Sequence, residues 1–442
     1  MALKVGLISL GCPKNQINAE RMLASLTADG IEVVDFIDGA DAIIVNTCGF
    51  IDDAKREAIE NILDMVELKR QGDVKTILVT GCLAESYREE VLREIPEVDA
   101  VLGLGANADI VRYVRETVAG ARPAVFPALC ELPLSGERVL TTPGYWAYLQ
   151  VADGCDNRCT YCKIPAIRGP YRSRPMEEIV REAQDLAEGG VRELILVAQD
   201  TTRYGLDLAG ERQLPTLLRA LCAIEKLRWI RLLYCYPDEV TDELMDVLAE
   251  EPKVVKYMDL PMQHADDRIL AAMGRRGTQA ELRECIGRLR ARVPNIALRT
   301  TMITGFPGED EAAFETLAAF VQEMKFDRLG CFAFSPQEGT PAFDLPDQID
   351  AETARRRSEN LMDLQAEILR KKNDRQIGRI HTVLVEDYDG YSDTYTGRSS
   401  MDAPEIDGTV IFTCGWPLET GDFVEVEILG VKDYDLLGSA MP

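Results

Sequence analysis

Short β-branched and aliphatic runs recur along most of this chain at spacings that leave room for a helix between them. That alternation restricts the fold to βα units laid on parallel strands. In the first part, strands are predicted over Lys4–Ser9, Ile31–Phe36, Ala42–Thr47, Thr76–Thr80 and Ala100–Leu104, with helices near Asn18–Asp29, Asp53–Arg70 and Ser86–Arg93. A second run predicts strands over Ala147–Ala152, Glu193–Ala198, Trp229–Tyr234, Tyr257–Leu260, Ile296–Ile303 and Arg328–Ala333. Six such repeats curl into a full or partial barrel whose active site lies at the carboxyl ends of its strands. The segment Ala351–Lys372 reads as a polar-faced helix closing that domain, with Leu361, Leu364 and Ile368 on one side. Beyond Asn373, short alternating strands broken by Gly and Asp-Gly turns predict a small all-β barrel or sandwich. The expected class is therefore α/β multidomain: an open parallel α/β sheet domain (1–117), a linker (118–140), a partial (β/α)6 TIM-like barrel (141–372) and a small antiparallel β-barrel (373–442).

With 442 residues, about three domains of roughly 150 residues each are expected, enough for separate cores. No apolar run approaches the roughly 18 residues a membrane span needs, and the amino-terminal apolar stretch is too short for a secretory signal, so a cytoplasmic location without membrane contact is expected. In that reducing compartment, twelve cysteines point to metal or redox chemistry before disulfides. The formal charge of −26 argues against gripping nucleic acid through its phosphates, which relies on a basic surface.

The cysteines sharpen this. Cys155, Cys159 and Cys162 stand in GCDNRCTYCKIP, a C-x3-C-x2-C spacing just after the strand predicted at Ala147–Ala152. Three thiolates on one loop can bind three irons of a cubane cluster and leave the fourth open. The alternatives are a zinc site or inert cysteines, but zinc prefers four ligands and the chain has only two histidines, His264 and His381. Cys12, Cys48 and Cys82 each follow a predicted strand, and in a parallel sheet those ends share one edge, where open α/β folds bind ligands. A buried free cysteine is common. Three at equivalent positions suggest a second triad and a second cluster with an exchangeable iron.

The loop with Cys155, Cys159, Cys162 and the aromatic Tyr161 closely resembles the cluster motif of the radical S-adenosylmethionine superfamily. Together with SLGCPKN, VNTCGFI, IRGPYRSRP and LVAQDTTRYG, it makes the whole chain similar to the methylthiotransferase family, in the branch that modifies an aspartate of ribosomal protein uS12. The terminal piece, with SSMDAPEIDG, is similar to a TRAM domain. The sister branch modifies adenosine in transfer RNA, and its first cysteine motif typically reads GCQMN where this chain has Pro13-Lys14-Asn15. The resemblance implies two 4Fe-4S clusters, S-adenosylmethionine as both methyl donor and radical source, a sulfide or persulfide sulfur source, and a reductase or flavodoxin-type electron donor. The β-carbon of the aspartate would receive the methylthio group, on uS12 either free or in the ribosome.

Charge is an independent sign. From residue 374 to 442 there are four basic residues against fourteen acidic ones. A domain that grips RNA should be basic. An acidic one suits a basic protein partner, although acidic surface also simply aids solubility. A transfer-RNA enzyme and a non-catalytic iron–sulfur electron carrier stand as the competing readings.

Further cofactor-binding candidates are Gln199 and Asp200 after the second barrel strand, and Arg299 and Gly305, which resemble the superfamily's nucleoside-binding strand and turn. Turn structure explains Gln199-Asp200 and Gly305 equally well. Arg168, Arg172 and Arg174 flank the cluster loop and are read as partners for carboxylates of cofactor or substrate, or as solvated charges. His264 reads as a hydrogen-bonded structural histidine. Cys130, Cys222, Cys235, Cys285, Cys331 and Cys414 lack ligand spacing and read as packing residues. The turn from Gly103 to Ala108 matches G-x-G-x-x-A but sits in the last unit of its domain, against a nicotinamide site. No side chain is assigned as catalytic.

Overall fold

The computed structural model describes residues 3–35, 39–49 and 51–442, and the chain divides into two compact units. The first contains residues 1–142, 150–174 and 335–343; the second contains 143–149, 175–334 and 344–442.

In the first unit, strands β1 (Lys4–Ser9), β2 (Glu32–Val33), β3 (Ala42–Thr47), β4 (Ile77–Gly81), β5 (Ala100–Leu102) and β6 (Ala124–Val125) form one parallel sheet in the order β2-β1-β3-β4-β5-β6. Both faces are covered, so the central strands begin with apolar runs, Ala42–Val45 and Ile77–Val79, and β3 and β4 are buried at every position. Helix α1 (Pro13–Ala28) begins earlier than its periodicity suggests, because Pro13 suits the first turn. Helix α2 (Asp52–Gln71) carries Asp52 and Asp53 in its first turn and ends on Gly72 at φ 91°. The helix expected over Ser86–Arg93 is two short ones, α3 (Cys82–Tyr87) and α4 (Glu89–Glu94), broken where Arg88 takes φ 46°. The expected linker is partly ordered: α5 (Ile110–Val118) precedes Ala124–Val125, which pair with β5 as the sixth strand. The strand expected over Ile31–Phe36 shrinks to two residues, and its Phe36 lies outside the described residues.

In the second unit, β7 (Trp146–Gln150), β10 (Glu193–Val197) and β11 (Trp229–Leu232) form a sheet in the order β11-β10-β7; the short strands β8 (Ala152–Asp153) and β9 (Arg172–Ser173), between β7 and β10 in sequence, belong to the first unit. Strands β12 (Tyr257–Asp259), β13 (Ala297–Thr304) and β14 (Arg328–Ala333) form a second parallel sheet. The six strands thus form two parallel triplets joined by single bonds such as Cys235 N–H to Asp259 O (2.9 Å). Helix Ala351–Asp374 packs along β14 and β13, its start wedged against the turn at Gly305.

Strands β15 (Ile380–Asp389), β16 (Thr394–Ser399), β17 (Val410–Thr413), β18 (Phe423–Lys432) and β19 (Asp435–Ala440) close a barrel in the order β15-β16-β17-β19-β18 around Val383, Val385, Phe412, Val426 and Ile428. It is not purely antiparallel as expected: β17 and β19 run parallel, because the long β18 lies between them in sequence and returns from the far side. Buried ion pairs join the (β/α) part to this barrel. Glu193 is fully buried between Arg231 and Arg398, at 2.8 Å each, and Arg328 is paired with Asp402.

Candidate metal centre

Strand register places the first three cysteines together. Ser9 pairs with Asn46 and Thr47 with Gly81, so Cys12, Cys48 and Cys82 all lie just past one edge of three adjacent strands. Their loops meet backbone to backbone. A Cβ on Gly11 would stand 2.6 Å from Cys48 Cβ and 2.9 Å from its Sγ, and Gly11 also needs its φ of 93°. A Cβ on Gly49 would lie 2.8 Å from Leu83 Cα, beside Cys82.

Two asparagines fix these loops. Asn15 Nδ2 donates to the carbonyls of Leu10 (2.7 Å) and Asn46 (3.3 Å), while Asn46 Nδ2 donates to Asn15 O (2.9 Å). These bonds tie the start of α1 to the ends of β1 and β3. Spacing alone gives neither residue a role, although each lies within three positions of a cysteine.

Electrostatically the three thiols sense one another. Burial pushes the Cys82 thiol up to about 11, with Cys12 and Cys48 adding to the rise and Arg168 opposing it. Burial also opposes ionisation of Cys12, but Lys14, Arg168 and the backbone N–H groups of Asn15 and Lys14 outweigh it and bring its pKa below the usual thiol value.

The second triad lies in the same compact unit. Strands β8 and β9 pair antiparallel at the neck of its loop, Cys155 N–H donates to Gly169 O (3.1 Å), and Tyr171 N–H donates to Asp156 Oδ1 (3.1 Å). Gly154, at φ 77°, sits so close to Pro170 that a Cβ would fall 2.0 Å from the carbonyl oxygen. Cys155 and Cys159 are buried; Cys162 and Tyr161 are partly exposed. The short helix α6 (Ile164–Arg168) follows, its first N–H donating to Cys162 Sγ at 3.4 Å. Over this loop comes segment 335–343, where Ala342 N–H donates to Thr160 O (2.9 Å) and Gln337 bonds both Asp52 and Lys55 of α2.

Arg168 corrects the picture of solvated flanking charges. It is 1% exposed, with Nη1 3.2 and 3.1 Å from the two carboxylate oxygens of Asp153 and Nη2 3.8 Å from Cys82 Sγ. Arg174 is equally buried and donates to Gln150 O (2.7 Å), whereas Arg172 reaches the carbonyl of Cys130 (2.9 Å). Cys130 is itself exposed, contrary to its reading as a packing residue, because it lies on a short surface turn.

Among the described residues no group of three or more His, Cys, Asp or Glu side chains closes around a single ion. Zinc wants such a closed tetrahedron. Cys12, Cys48 and Cys82 stand on three loops that touch, and Cys155, Cys159 and Cys162 on one.

The remaining candidates lie in the second unit. Asp200 is fully buried after β10, accepting from Thr202 Oγ1 at 2.5 Å, and Gln199 precedes it. Gly305 follows β13 at φ 73°, and its missing side chain makes room for Ala354, whose Cβ would be only 2.2 Å away; its N–H donates to Glu309 (2.9 Å). Arg299 is near the amino end of β13, its guanidinium 2.9 Å from Asp259 and 3.6 Å from Asp407. Those carboxylates account for the arginine in the structure. His264 is fully buried between Glu309 (3.1 Å) and the N–H of Asp266 (2.9 Å), as a structural histidine should be. The turn after β5 is a 3-10 helix, Leu104–Asp109.

Comparison with known proteins places this architecture. Residues 149–321 match the radical SAM superfamily, 4–103 match uncharacterized protein family UPF0004, and 377–441 match the TRAM domain. The chain is 50% identical over 437 residues to "Ribosomal protein uS12 methylthiotransferase RimO" of Desulforamulus reducens, covering 98% of each. The chain belongs to the ribosomal protein uS12 methylthiotransferase family. The relative of the same name from Acetivibrio thermocellus is 47% identical to it, with 100% of this chain and 99% of that one covered. Among solved structures, the radical S-adenosylmethionine methyltransferase TsrM of Kitasatospora setae, with cobalamin and a [4Fe-4S] cluster bound, aligns at TM-score 0.58 and 16% identity over 77% of both chains. That likeness concerns the fold. For a uS12 methylthiotransferase family member, the transfer-RNA and electron-carrier readings are not favoured.

Proposed function

We propose that this chain replaces a hydrogen on the β-carbon of an aspartate in ribosomal protein uS12 with a methylthio group, inside the cytoplasm. What supports the reading is full-length kinship with uS12 methylthiotransferases together with two cysteine triads in one compact unit. In it, Cys155, Cys159 and Cys162 hold one 4Fe-4S cluster and Cys12, Cys48 and Cys82 hold a second. The bound groups supply the hard chemistry: one S-adenosylmethionine gives a methyl group, another gives a 5′-deoxyadenosyl radical, and sulfide or persulfide gives the sulfur. The protein's part is to bind, orient and exclude water. Gly11 and Gly49 let the first loops close, Asn15 and Asn46 lock them, and two cysteines of each triad, Cys48 and Cys82, Cys155 and Cys159, are buried. Tyr161, Gln199, Asp200 and the turn at Gly305 are the positions proposed to line the cofactor; Arg299 is the weakest of that set, since two carboxylates already hold it. The modules are taken as 1–117, 141–372 and 373–442, joined by 118–140. A reductase or flavodoxin-type protein would deliver electrons.

Anaerobic reconstitution with dithionite and S-adenosylmethionine tests this. The wild type forms 5′-deoxyadenosine and methylthiolated peptide, whereas Cys12, Cys48 and Cys82→Ala retains 5′-deoxyadenosine but loses methylthiolation. Methylthiolation surviving in that variant would overturn the assignment.

A further inference from the structure

We propose that Arg168 is a positioning residue that presents a buried cation to the cluster on Cys12, Cys48 and Cys82, making that cluster easier to reduce. The inference rests on the second-cluster assignment proposed above. Asp153 lies two residues before Cys155 and Arg168 six after Cys162. Both are at most 1% exposed, and their carboxylate–guanidinium contact crosses the neck of the second triad's loop. One guanidinium nitrogen serves Asp153, and the other is aimed at Cys82 Sγ, 3.8 Å away. A pair serving only the fold has no need of the sulfur. Here the loop that carries one triad places a charge on a ligand of the other.

The effect follows from electrostatics. Reduction adds a negative charge to a cluster, and a nearby cation with an N–H···S bond stabilises the reduced state, the more so in a water-poor setting. The proposed reaction has use for this. Joining a methanethiolate sulfur to a carbon-centred radical forms one C–S bond and releases one electron. That electron must be taken up where the sulfur departed, and Arg168 favours the uptake.

The test uses the full chain with Cys155, Cys159 and Cys162→Ala, so that only the first triad can bind iron, and EPR-monitored redox titration. Asp153→Asn is compared with Asp153→Asn/Arg168→Gln, which differ only in the charge at 168 and leave no lone buried anion. At a fixed potential the reduced-to-oxidised ratio should fall at least tenfold in the second, about 59 mV for a one-electron couple. Arg168→Lys, which keeps the charge, should stay within threefold of its parent. Equal potentials at equal iron content, or a lysine variant as low as the neutral one, would overturn the proposal. If the parent with Arg168 intact holds no iron, the second-cluster assignment itself falls, and the proposal with it.

Discussion

Gly11 leaves the first cysteine loop no freedom: any side chain there meets Cys48, and its φ of 93° disfavours every residue but glycine. Gly11→Ala should therefore lose the first cluster and keep the second, so that iron bound per reconstituted chain falls by about half. Full iron content would show that the loops can separate without loss of the site. A different residue carries a pH prediction. Burial holds the His381 imidazole below its ordinary value of 6.5. The unfolded chain then binds a proton that the folded chain refuses, so stability falls as pH drops through about 6.5 and the loss continues down to the depressed value. His381→Gln should flatten that slope in denaturant titrations between pH 7 and 5; an unchanged slope would exonerate the histidine. At this scale the sequence was readable where position follows from strands: Cys12, Cys48 and Cys82 stand just past the ends of three adjacent strands, as their apolar runs indicated. Asn15, Asn46 and the Asp153–Arg168 pair were not readable, because their roles depend on carbonyls and sulfurs brought near only by the fold.

At the scale of elements, the strands were legible because the central ones are buried on both faces and open with apolar runs, Ala42–Val45 and Ile77–Val79. Two features escaped. The sixth strand of the first sheet is two residues long, too short for periodicity to register. The parallel pairing of β17 with β19 is set by strand order, which alternation does not encode. The meeting of the (β/α) part and the small barrel was equally hidden. Its centre is Glu193, fully buried with Arg231 and Arg398 on its two oxygens. Glu193→Ala leaves the buried Arg231 without its carboxylate and Arg398 with only Glu386, and should cost about 3–5 kcal/mol. The expected signature is a barrel that melts ahead of the rest in calorimetry, and an unshifted single transition would contradict it.

For the molecule as a whole, acidity takes on a more exact meaning. Of the fourteen acids counted in the terminal stretch, Asp402 and Asp407 are buried against Arg328 and Arg299, so part of that charge serves the fold and not a partner. The exposed remainder still opposes a polyanion and accords with a basic protein as substrate. The central claim is that choice of substrate. It is tested most directly by mass spectrometry after anaerobic turnover with a uS12 peptide and transfer RNA in the same mixture. A methylthio group on the β-carbon of one aspartate, with the transfer RNA unmodified, is the predicted result. A methylthiolated adenosine beside an unmodified peptide would contradict it.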